Sequence, residues 1–380
     1  MGLERVLIVG ISTRAFAESA SRAGYSCLSV DAFGDLDQKA RVENLGLVRD
    51  LHRPYSAAAA VAAGRSLDAA SAAYVANLEN HPLAVRRLAQ GRELLGNSPS
   101  TLARARDFRG LAAAVRRAGG RVPVTSSEGP ARRSRAGRRW LRKPMRGGGG
   151  DGVREWKPGT RVGARELVQE RVDGVLASVA FVADGRRALV LGLSRGLAGD
   201  PAFGARDYRY CGSIHPFPAA PALVARVEAI AQATTRAFGL VGLNGIDLIV
   251  RDGEAFVLEL NPRYSASMEL IDRGGRLNVF EAHAAACRGA LPTSEPGPPP
   301  EVLGKAVLWA RRPMTVGDTR GWLARDDVRD IPFPGERIQP GHPICTVFAR
   351  GPDDLTCYGR LVAAAAAVER QLEAEGGGPP

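Results

Sequence analysis

The stretch NGIDLIV at residues 244–250 is followed by VLELNPR at residues 257–263. Each stretch is apolar with isolated polar residues, as expected of a β-strand, and Asp252-Gly253 between them favours a two-residue turn. The sequence therefore predicts a β-hairpin that holds polar side chains among apolar ones.

The polar side chains of this hairpin are suited to holding a metal ion. Glu259 and Asn261 are two residues apart and share one face of their strand, while Asp247 lies on the partner strand. Burying these oxygens is costly, and a hard cation such as Mg²⁺, shared with substrate phosphates, removes the cost. Arg263 follows in the same row and offers a planar cation to phosphate or carboxylate oxygens. The alternative is a surface hairpin with a Glu–Arg pair, which the flanking apolar residues disfavour.

A glycine-rich turn follows a strand that ends at Lys143-Pro144. Its glycines are Gly147, Gly148, Gly149, Gly150 and Gly152. Glycines let backbone N–H groups approach an anion closely, so this turn and Lys143 are candidates to bind nucleotide phosphates. A flexible linker is the alternative. The turn is not a Walker loop, because no Gly-Lys-Ser/Thr follows the glycines.

A strand–turn unit between these two features is a weaker signal. The sequence LVQERVDG at residues 167–174 predicts a strand that ends at Gln169-Glu170 and then turns. Such a unit could present backbone amides and a carboxylate to an adenine and a ribose, but most strings of this kind are ordinary strand–turn units.

The charge of the chain invites a nucleic-acid interpretation. The 52 basic and 40 acidic residues give a formal net charge of +12, yet only four of the basic residues are lysines. This preference for arginine indicates a bias of the whole sequence. Much of the excess lies in residues 132–146, which predicts a solvated basic loop or, as the alternative, a surface for polyanions. Nucleic acid is therefore not expected as a partner.

The composition also restricts the cellular setting. No apolar run reaches the roughly 18–20 residues of a membrane helix, and the N-terminal segment lacks the features of a signal peptide. The five cysteines are scattered without a C-x-x-C pair, which is typical of reduced thiols rather than a disulfide framework or a zinc site. We expect a cytoplasmic protein that has no membrane partner.

The N-terminal part of the chain has the pattern of an α/β domain. Residues 4–9, 13–24 and 25–31 are predicted to form a strand, a helix and a strand, which is the beginning of a parallel sheet. Further helices are predicted over residues 82–95 and 101–118. A nicotinamide dehydrogenase is disfavoured because no G-x-G-x-x-G follows the first strand.

Changes in texture along the chain predict several units. The predicted units are an α/β domain at 1–98, a central domain of two subdomains at 99–291, a Pro-rich linker at 292–300, a C-terminal α+β extension at 301–370 and a flexible tail at 371–380.

The order and spacing of these motifs resemble the ATP-grasp superfamily, in the branch that includes biotin carboxylase, carbamoyl phosphate synthetase and D-alanine–D-alanine ligase. Within it, the chain looks most like the ATP-dependent carboligases related to biotin carboxylase. The resemblance implies α/β and α+β architecture: an ATP-grasp fold with an N-terminal doubly wound α/β domain and a small C-terminal α+β extension.

The resemblance also implies roles for individual residues. Asp247, Glu259 and Asn261 fall on the family's metal ligands. Arg263 and Lys143 fall on positions with catalytic roles, and Lys143 also precedes the phosphate-binding loop. The implied nucleotide-binding residues are Lys143, Gly147, Gly148, Gly149, Gly150, Gly152, Gln169, Glu170 and Val172. The implied cofactors are ATP and Mg²⁺, with Mn²⁺ as an alternative metal.

The implied activity is that of a ligase that phosphorylates a carboxylate with ATP and joins it to an amine. Its partners would be a small-molecule acid and amine, with a homodimer as an option, and an association with a cofactor of one-carbon metabolism comes from the family alone. A nucleotide-binding regulator without turnover and a bicarbonate-activating enzyme are the alternatives.

Two regions depart from the family or leave a choice open. Near the entry to the ATP domain the family often has a lysine, where this chain offers only Arg104 and Arg106. The role of the basic segment 126–139 is also open.

The sequence leaves two interpretations of the substrate-binding region. Residues 195–213 are expected to form a loop whose polar side chains either clamp an anionic substrate or are simply solvated, and Asn80 is expected to face the same cleft. The side chains concerned are Arg195, Arg206, Tyr208 and Arg209.

Overall fold

The computed structural model describes residues 3–130, 137–293, 297 and 299–375. Parts of the predicted basic segment 126–139 and of the predicted linker 292–300 lie outside these ranges, as do residues 376–380 of the predicted tail. The boundaries between the units remain predictions.

The N-terminal part is a parallel sheet with helices on both faces. Its strands are β1 Arg5–Val9, β2 Ser26–Asp31, β3 Glu43–Gly46, β4 Ser71–Tyr74 and β5 Glu93–Leu95. Its helices are α1 Arg14–Arg22, α2 Leu36–Lys39, α3 Ala57–Gly64 and α4 Pro82–Leu88. The strand order is β3-β2-β1-β4-β5, which confirms the predicted doubly wound α/β domain.

The apolar run of β1 is explained by burial on both faces of this sheet. Ile8 packs in a cluster with Phe16 of α1, whereas its neighbour Leu7 packs in a second cluster with Val61 of α3. Successive side chains of a strand point to opposite faces, so a sheet covered on both sides requires continuous apolar sequence.

Two predicted helices are shorter than expected. The prediction over residues 82–95 is wrong in its second half: α4 ends at Leu88, Gly91 turns the chain with φ of 74°, and the following residues form β5 beside β4. The helix predicted over 101–118 is two helices, α5 Pro99–Ala105 and α6 Phe108–Arg117. The break occurs at Asp107, whose carboxylate accepts a hydrogen bond from the N–H of Arg109 at 3.0 Å and starts the new helix.

A small antiparallel sheet follows these helices and carries the glycine-rich turn. Its strands are β6 Thr125–Ser126, β7 Trp140–Pro144, β8 Arg154–Trp156 and β9 Glu166–Glu170, in the order β6-β9-β7-β8. Trp140, Trp156 and Val168 form its core. The glycine-rich turn joins β7 to β8 at the edge of this sheet.

A large antiparallel sheet forms the centre of the molecule. Its strands are β10 Val175–Asp184, β11 Ala188–Ala198, β12 Tyr210–His215, β13 Val241–Arg251, β14 Glu254–Asn261, β15 Val302–Trp309, β17 Val328–Arg329 and β19 Pro343–Gly351. The short strands β16 Met314–Thr315 and β18 Arg337–Ile338 pair separately. The large sheet has the order β14-β13-β10-β11-β12-β15-β19-β17, so the C-terminal strands continue the central sheet. The expectation of a loop over 195–213 is wrong at both ends, which belong to β11 and β12.

Four helices cover the large sheet and its extension. They are α7 Pro221–Phe238, α8 Met268–Arg273, α9 Val279–Cys287 and α10 Asp354–Glu375. Within the described residues, no helix combines the length and apolarity needed to cross a membrane.

The N-terminal and C-terminal parts meet at a buried arginine. Arg14 of α1 is 1% exposed and lies 2.8 Å from Glu269 and 2.7 Å from Asp330. Burial opposes the charge of Arg14, but the surrounding carboxylates outweigh it and raise its pKa. Since a buried cation without partners would be costly, these ion pairs fix how the first sheet packs against the C-terminal strands.

Candidate functional site

The predicted hairpin is present and brings the candidate metal ligands together. β13 and β14 are antiparallel, with Asp247 directly opposite Glu259, and Asp252 and Gly253 form the turn with φ of 52° and 74°. Asn261 Nδ2 donates to Asp247 Oδ2 at 2.9 Å. Two carboxylates and an amide therefore meet on one face of the hairpin.

The two carboxylates are electrostatically coupled. Burial and the facing Glu259 carboxylate raise the pKa of Asp247 to about 7. Burial also opposes the ionisation of Glu259, but the nearby Lys143 ammonium and a hydrogen bond with Asp247 hold the pKa of Glu259 below its usual value. Lys143, which comes from the small sheet, thus contributes to the field at the hairpin.

Arg263, two residues after the end of β14, is held by the N-terminal domain. Arg263 Nε donates to Glu79 Oε1 at 3.0 Å, and Arg263 Nη2 donates to Asn261 Oδ1 at 3.3 Å. Glu79 is 1% exposed and lies in the 3₁₀ turn after β4. Burial opposes the charge of Arg263, but Glu79, Asp247 and Glu259 outweigh burial and raise its pKa.

Arg106, rather than Arg104, faces this site. Arg104 Nη2 donates to the carbonyl of Phe238 at 2.7 Å, so it closes the end of α7. Arg106 Nη2 lies 3.6 Å from Glu79 Oε1, and its Nε has no hydrogen-bond partner in the described part of the chain. Burial lowers the pKa of Arg106 although Glu79 and Glu259 oppose this shift.

Lys143 and Gln169 are neighbours on adjacent strands of the small sheet. Lys143 Nζ donates to Gln169 Oε1 at 3.2 Å, and Gln169 Nε2 donates to Thr125 Oγ1 at 3.2 Å. The amide of Gln169 is therefore used to orient the lysine that faces Glu259.

The glycine-rich turn lies against the connection between β11 and β12. The N–H of Tyr210 donates to the carbonyl of Gly149 at 2.8 Å. Gly150 has φ of 75°, and a Cβ at this position would lie 1.8 Å from the carbonyl oxygen of Tyr208. Only glycine allows both this backbone conformation and this close approach. Asp151 lies 3.6 Å from Arg209 and adds a second contact between the two segments.

The backbone amides of the turn are available to an anion. The N–H groups of Gly148, Gly149 and Gly150 donate to no acceptor within the described ranges. Free N–H groups on consecutive glycines with φ of 60° and 75° at Gly149 and Gly150 form a concave surface suited to phosphate oxygens.

In the predicted adenine-binding segment, the polar groups of Glu170 are hydrogen-bonded within the described part of the protein, whereas the backbone groups of Val172 are not. The N–H of Glu170 donates to the carbonyl of Val124 at 2.8 Å, and the Glu170 carboxylate accepts from the N–H of Val124 at 3.2 Å. Arg138 also lies 3.4 Å from that carboxylate. The backbone N–H and C=O of Val172 make no hydrogen bond within the described residues, so Val172 offers the available backbone edge.

The candidate substrate residues do not form a single clamp. Arg195 forms an ion pair with Asp354, and Arg209 donates to the carbonyl of Gly341 at 2.6 Å. Arg206 is exposed and lies outside this group. Asn80, in contrast, is buried beside Glu79.

Sequence reasoning missed Glu79 as a partner of Arg263. The available signal was its position directly after β4, since polar residues at the carboxyl end of a parallel strand often line a site. The pairing of Glu79 with Arg263 could not be predicted from the sequence, because the two residues are 184 positions apart.

The oxygen donors of the hairpin suit a hard divalent cation. No group of three or more His, Cys, Asp or Glu side chains is arranged to hold a metal in the described ranges, and the hairpin instead offers two facing carboxylates and an amide. Mg²⁺ takes few protein carboxylates and shares its remaining positions with water and phosphates. The set fits Mg²⁺, because a divalent cation would remove the repulsion between Asp247 and Glu259.

A comparison with protein families identifies a known domain in the centre of the chain. Residues 105–267 match the family model described as the ATP-grasp domain. Over 109 residues the chain is 36% identical to the formate-dependent phosphoribosylglycinamide formyltransferase of Synechococcus elongatus. This alignment covers 28% of this chain and 27% of the relative. The curated relatives it matches are each aligned over only 27% of their length.

Solved structures resemble nearly the whole chain. Biotin carboxylase of Campylobacter jejuni, in complex with β-γ-ATP, has a TM-score of 0.72 and 15% identity, with 98% of this chain and 91% of that chain covered. L-amino acid ligase of Bacillus licheniformis has a TM-score of 0.67 and 15% identity, with coverage of 99% and 98%. Likeness at this identity shows the fold.

The chain resembles ATP-grasp proteins, both through the match over residues 105–267 and through the similar solved structures. It has the ATP-grasp fold, with a doubly wound α/β domain before the ATP-grasp domain and C-terminal strands that extend the large sheet.

Proposed function

We propose that the protein is a Mg·ATP-dependent ligase that activates a substrate carboxylate as an acyl phosphate and joins it to an amine. The observation that carries this proposal is the convergence of two oppositely charged sets of side chains. The paired carboxylates of the hairpin face Lys143 from the small sheet and Arg263, and Glu79 fixes Arg263 in place. Oxygen ligands beside several cations are what a metal–triphosphate complex requires.

Each residue has a positioning or charge-neutralising role in this proposal. The glycine-rich turn and Lys143 bind the phosphates, and the backbone of Val172 contacts the adenine. Asp247, Glu259 and Asn261 would hold Mg²⁺, which when bound would neutralise negative charge on the nucleotide phosphates. The substrate carboxylate attacks the γ-phosphorus and ADP leaves. The amine then attacks the acyl carbon and inorganic phosphate leaves.

Charge stabilisation and exclusion of water account for the remaining chemistry. Arg263 lies next to the amide of Asn261, where it would stabilise charge on the transferring phosphoryl group or on the tetrahedral intermediate. The turn packs on the 208–210 segment and would keep water from the acyl phosphate. No side-chain nucleophile is needed, since the substrate carboxylate is the nucleophile of the first step.

The identity of the acid is proposed only by class. The similarity to a formate-dependent formyltransferase over 109 residues supports a one-carbon acid. The bicarbonate bound to the similar biotin carboxylase domain of Hydrogenobacter thermophilus supports bicarbonate, and the name of the L-amino acid ligase supports amino acids. More specifically, we propose that the ligase acts in the biosynthesis of a cofactor of one-carbon metabolism.

The test is the release of ADP from Mg·ATP over a panel of acids with and without amines. The panel contains formate, bicarbonate, amino acids and dicarboxylates, and hydroxylamine is added in parallel to trap an acyl phosphate as a hydroxamate. We expect ADP formation to require one acid, and hydroxamate to appear with that acid in the absence of the amine. ATP binding without turnover on any acid would favour a regulator, and turnover with bicarbonate alone would favour a carboxylase-like enzyme.

A further inference from the structure

A cavity of about 320 Å³ lies in the N-terminal domain, outside the nucleotide site described above. It lies between α3 and α4, and its wall on one side is Arg146, from the turn that follows β7. The cavity is therefore shared between the first domain and the glycine-rich turn.

A buried polar side chain in the wall of this cavity has no partner. Asn80 is 2% exposed, and neither its Nδ2 nor its Oδ1 makes a hydrogen bond within the described residues. An unsatisfied buried amide costs free energy, so its retention in the wall of a cavity indicates a ligand that supplies both a donor and an acceptor.

The remaining polar wall of the cavity is cationic. Arg65 at the end of α3, Arg87 on α4 and Arg146 line it, and no acidic side chain is among the lining residues. His81 completes this wall, and burial together with the charge of Arg146 lowers the pKa of His81. Three guanidinium groups around one cavity provide planar donors that match phosphate and carboxylate oxygens.

Arg146 connects this cavity to the nucleotide site. Its charge acts on His81 in the cavity wall and on Arg106 beside the metal hairpin. Arg146 also lies directly before the first glycine of the phosphate-binding turn. An anion in the cavity would neutralise Arg146 and so hold the start of this turn against the first domain.

We propose that this cavity binds the phosphate or carboxylate group of a small molecule that also carries a hydroxyl or amide. Arg65, Arg87 and Arg146 contact the anionic group, and Asn80 pairs with the neighbouring polar group. Two sources supply this chemistry: a remote group of one of the two ligase substrates, or a free anion that acts as an effector. The first source rests on the proposed ligase activity, whereas anion binding by the cavity does not, since the cavity is built from residues outside the metal hairpin.

The test is calorimetric titration of the full-length protein with inorganic phosphate, in the wild type and in Arg87→Gln. The matched control is Arg86→Gln, because Arg86 is an exposed arginine on the same helix that does not line the cavity. We expect saturable phosphate binding by the wild type. Arg87→Gln should weaken this binding about tenfold or more, because it removes one charged contact, and Arg86→Gln should leave it unchanged. Each protein is also titrated with Mg·ATP, so failure of the nucleotide site is recorded separately.

The outcomes separate the sources and the alternatives. If Arg87→Gln raises the KM of one ligase substrate at unchanged kcat, the anionic group belongs to that substrate. If it weakens phosphate binding and leaves every KM unchanged, the anion is a free effector. No saturable phosphate binding in the wild type would overturn the proposal. Equal weakening by Arg86→Gln, or loss in Lys143→Gln alone, would overturn it as well, since phosphate would then bind nonspecifically or at the nucleotide turn.

Discussion

Replacing Glu79 with glutamine tests how the first domain controls the reaction centre. Glu79 is 1% exposed, lies 3.0 Å from Arg263 and 3.6 Å from Arg106, and is the acid that pairs with both. Glutamine keeps the shape and one acceptor but removes the charge. A hydrogen bond to a charged group contributes about 1.5–3 kcal/mol, so we expect about 2 kcal/mol less stabilisation of the Arg263 position.

We expect this loss to lower the rate of turnover strongly and the affinity for Mg·ATP only slightly. About 2 kcal/mol corresponds to roughly a 30-fold lower kcat/KM for ADP formation with the acid found in the panel. The loss should fall mainly on kcat, because Arg263 acts on the reacting groups, and Mg·ATP affinity should change less. The assay is steady-state ADP release, with urea unfolding to confirm that the variant is folded.

The matched control for this prediction is Glu93→Gln. Glu93 is also paired with an arginine, Arg288, at 2.6 Å, but its side chain is 46% exposed. An exposed pair contributes about 0–1 kcal/mol, and Glu93 lies outside the site, so turnover should be unchanged. Wild-type turnover in Glu79→Gln would refute the claim that the first domain fixes Arg263 for catalysis.

Two further perturbations test the turn and the domain junction. Gly150→Ala should reduce turnover about tenfold or more, because a left-handed alanine costs roughly 1–2 kcal/mol and its Cβ would meet the carbonyl of Tyr208. The control Gly148→Ala should reduce turnover less, because a Cβ at Gly148 would contact no other atom of the described residues. Equal reductions in the rate of ADP release by the two variants would contradict this account. His283 is 2% exposed and accepts from the N–H of Leu243, and burial lowers its pKa to about 4. The pKa of His283 is lower in the native state than in the unfolded state, so its full contribution to the free energy of unfolding is present above the unfolded pKa and is lost as the pH falls. Urea unfolding should therefore show about 2 kcal/mol less stability at pH 5 than at pH 7 from this residue. His283→Gln should remove this difference, and the control His52→Gln, at an exposed histidine, should retain it.

The hairpin that carries the candidate metal ligands could be predicted from the sequence because most of its geometry is local. Alternation along a strand places Glu259 and Asn261 on one face, and the Asp252-Gly253 turn sets the pairing of residues 248–251 with residues 254–257. A β-bulge between Leu248 and Asp247, which the sequence does not predict, then shifts the register by one residue and brings Asp247 opposite Glu259. The glycine-rich turn was located for the same reason, since its glycines and Lys143 are contiguous.

The parts that the sequence did not predict depend on long-range contacts. The strand β5 was predicted as the end of a helix, because Glu93–Leu95 suits a helix locally and becomes a strand only by pairing with β4. The choice between Arg104 and Arg106 likewise depends on which neighbours the fold supplies: Phe238 for the first and Glu79 for the second.

The central claim is that the hairpin of β13 and β14 binds Mg·ATP. The most direct measurement is calorimetric titration with Mg·ATP of the wild type, Glu259→Ala and Asp252→Asn, each repeated with EDTA in place of Mg²⁺. We predict metal-dependent binding in the wild type and in Asp252→Asn, whose change lies in the turn of the same hairpin, and at least about tenfold weaker binding in Glu259→Ala. Equal binding by all three proteins, or binding that EDTA leaves unchanged, would contradict the account.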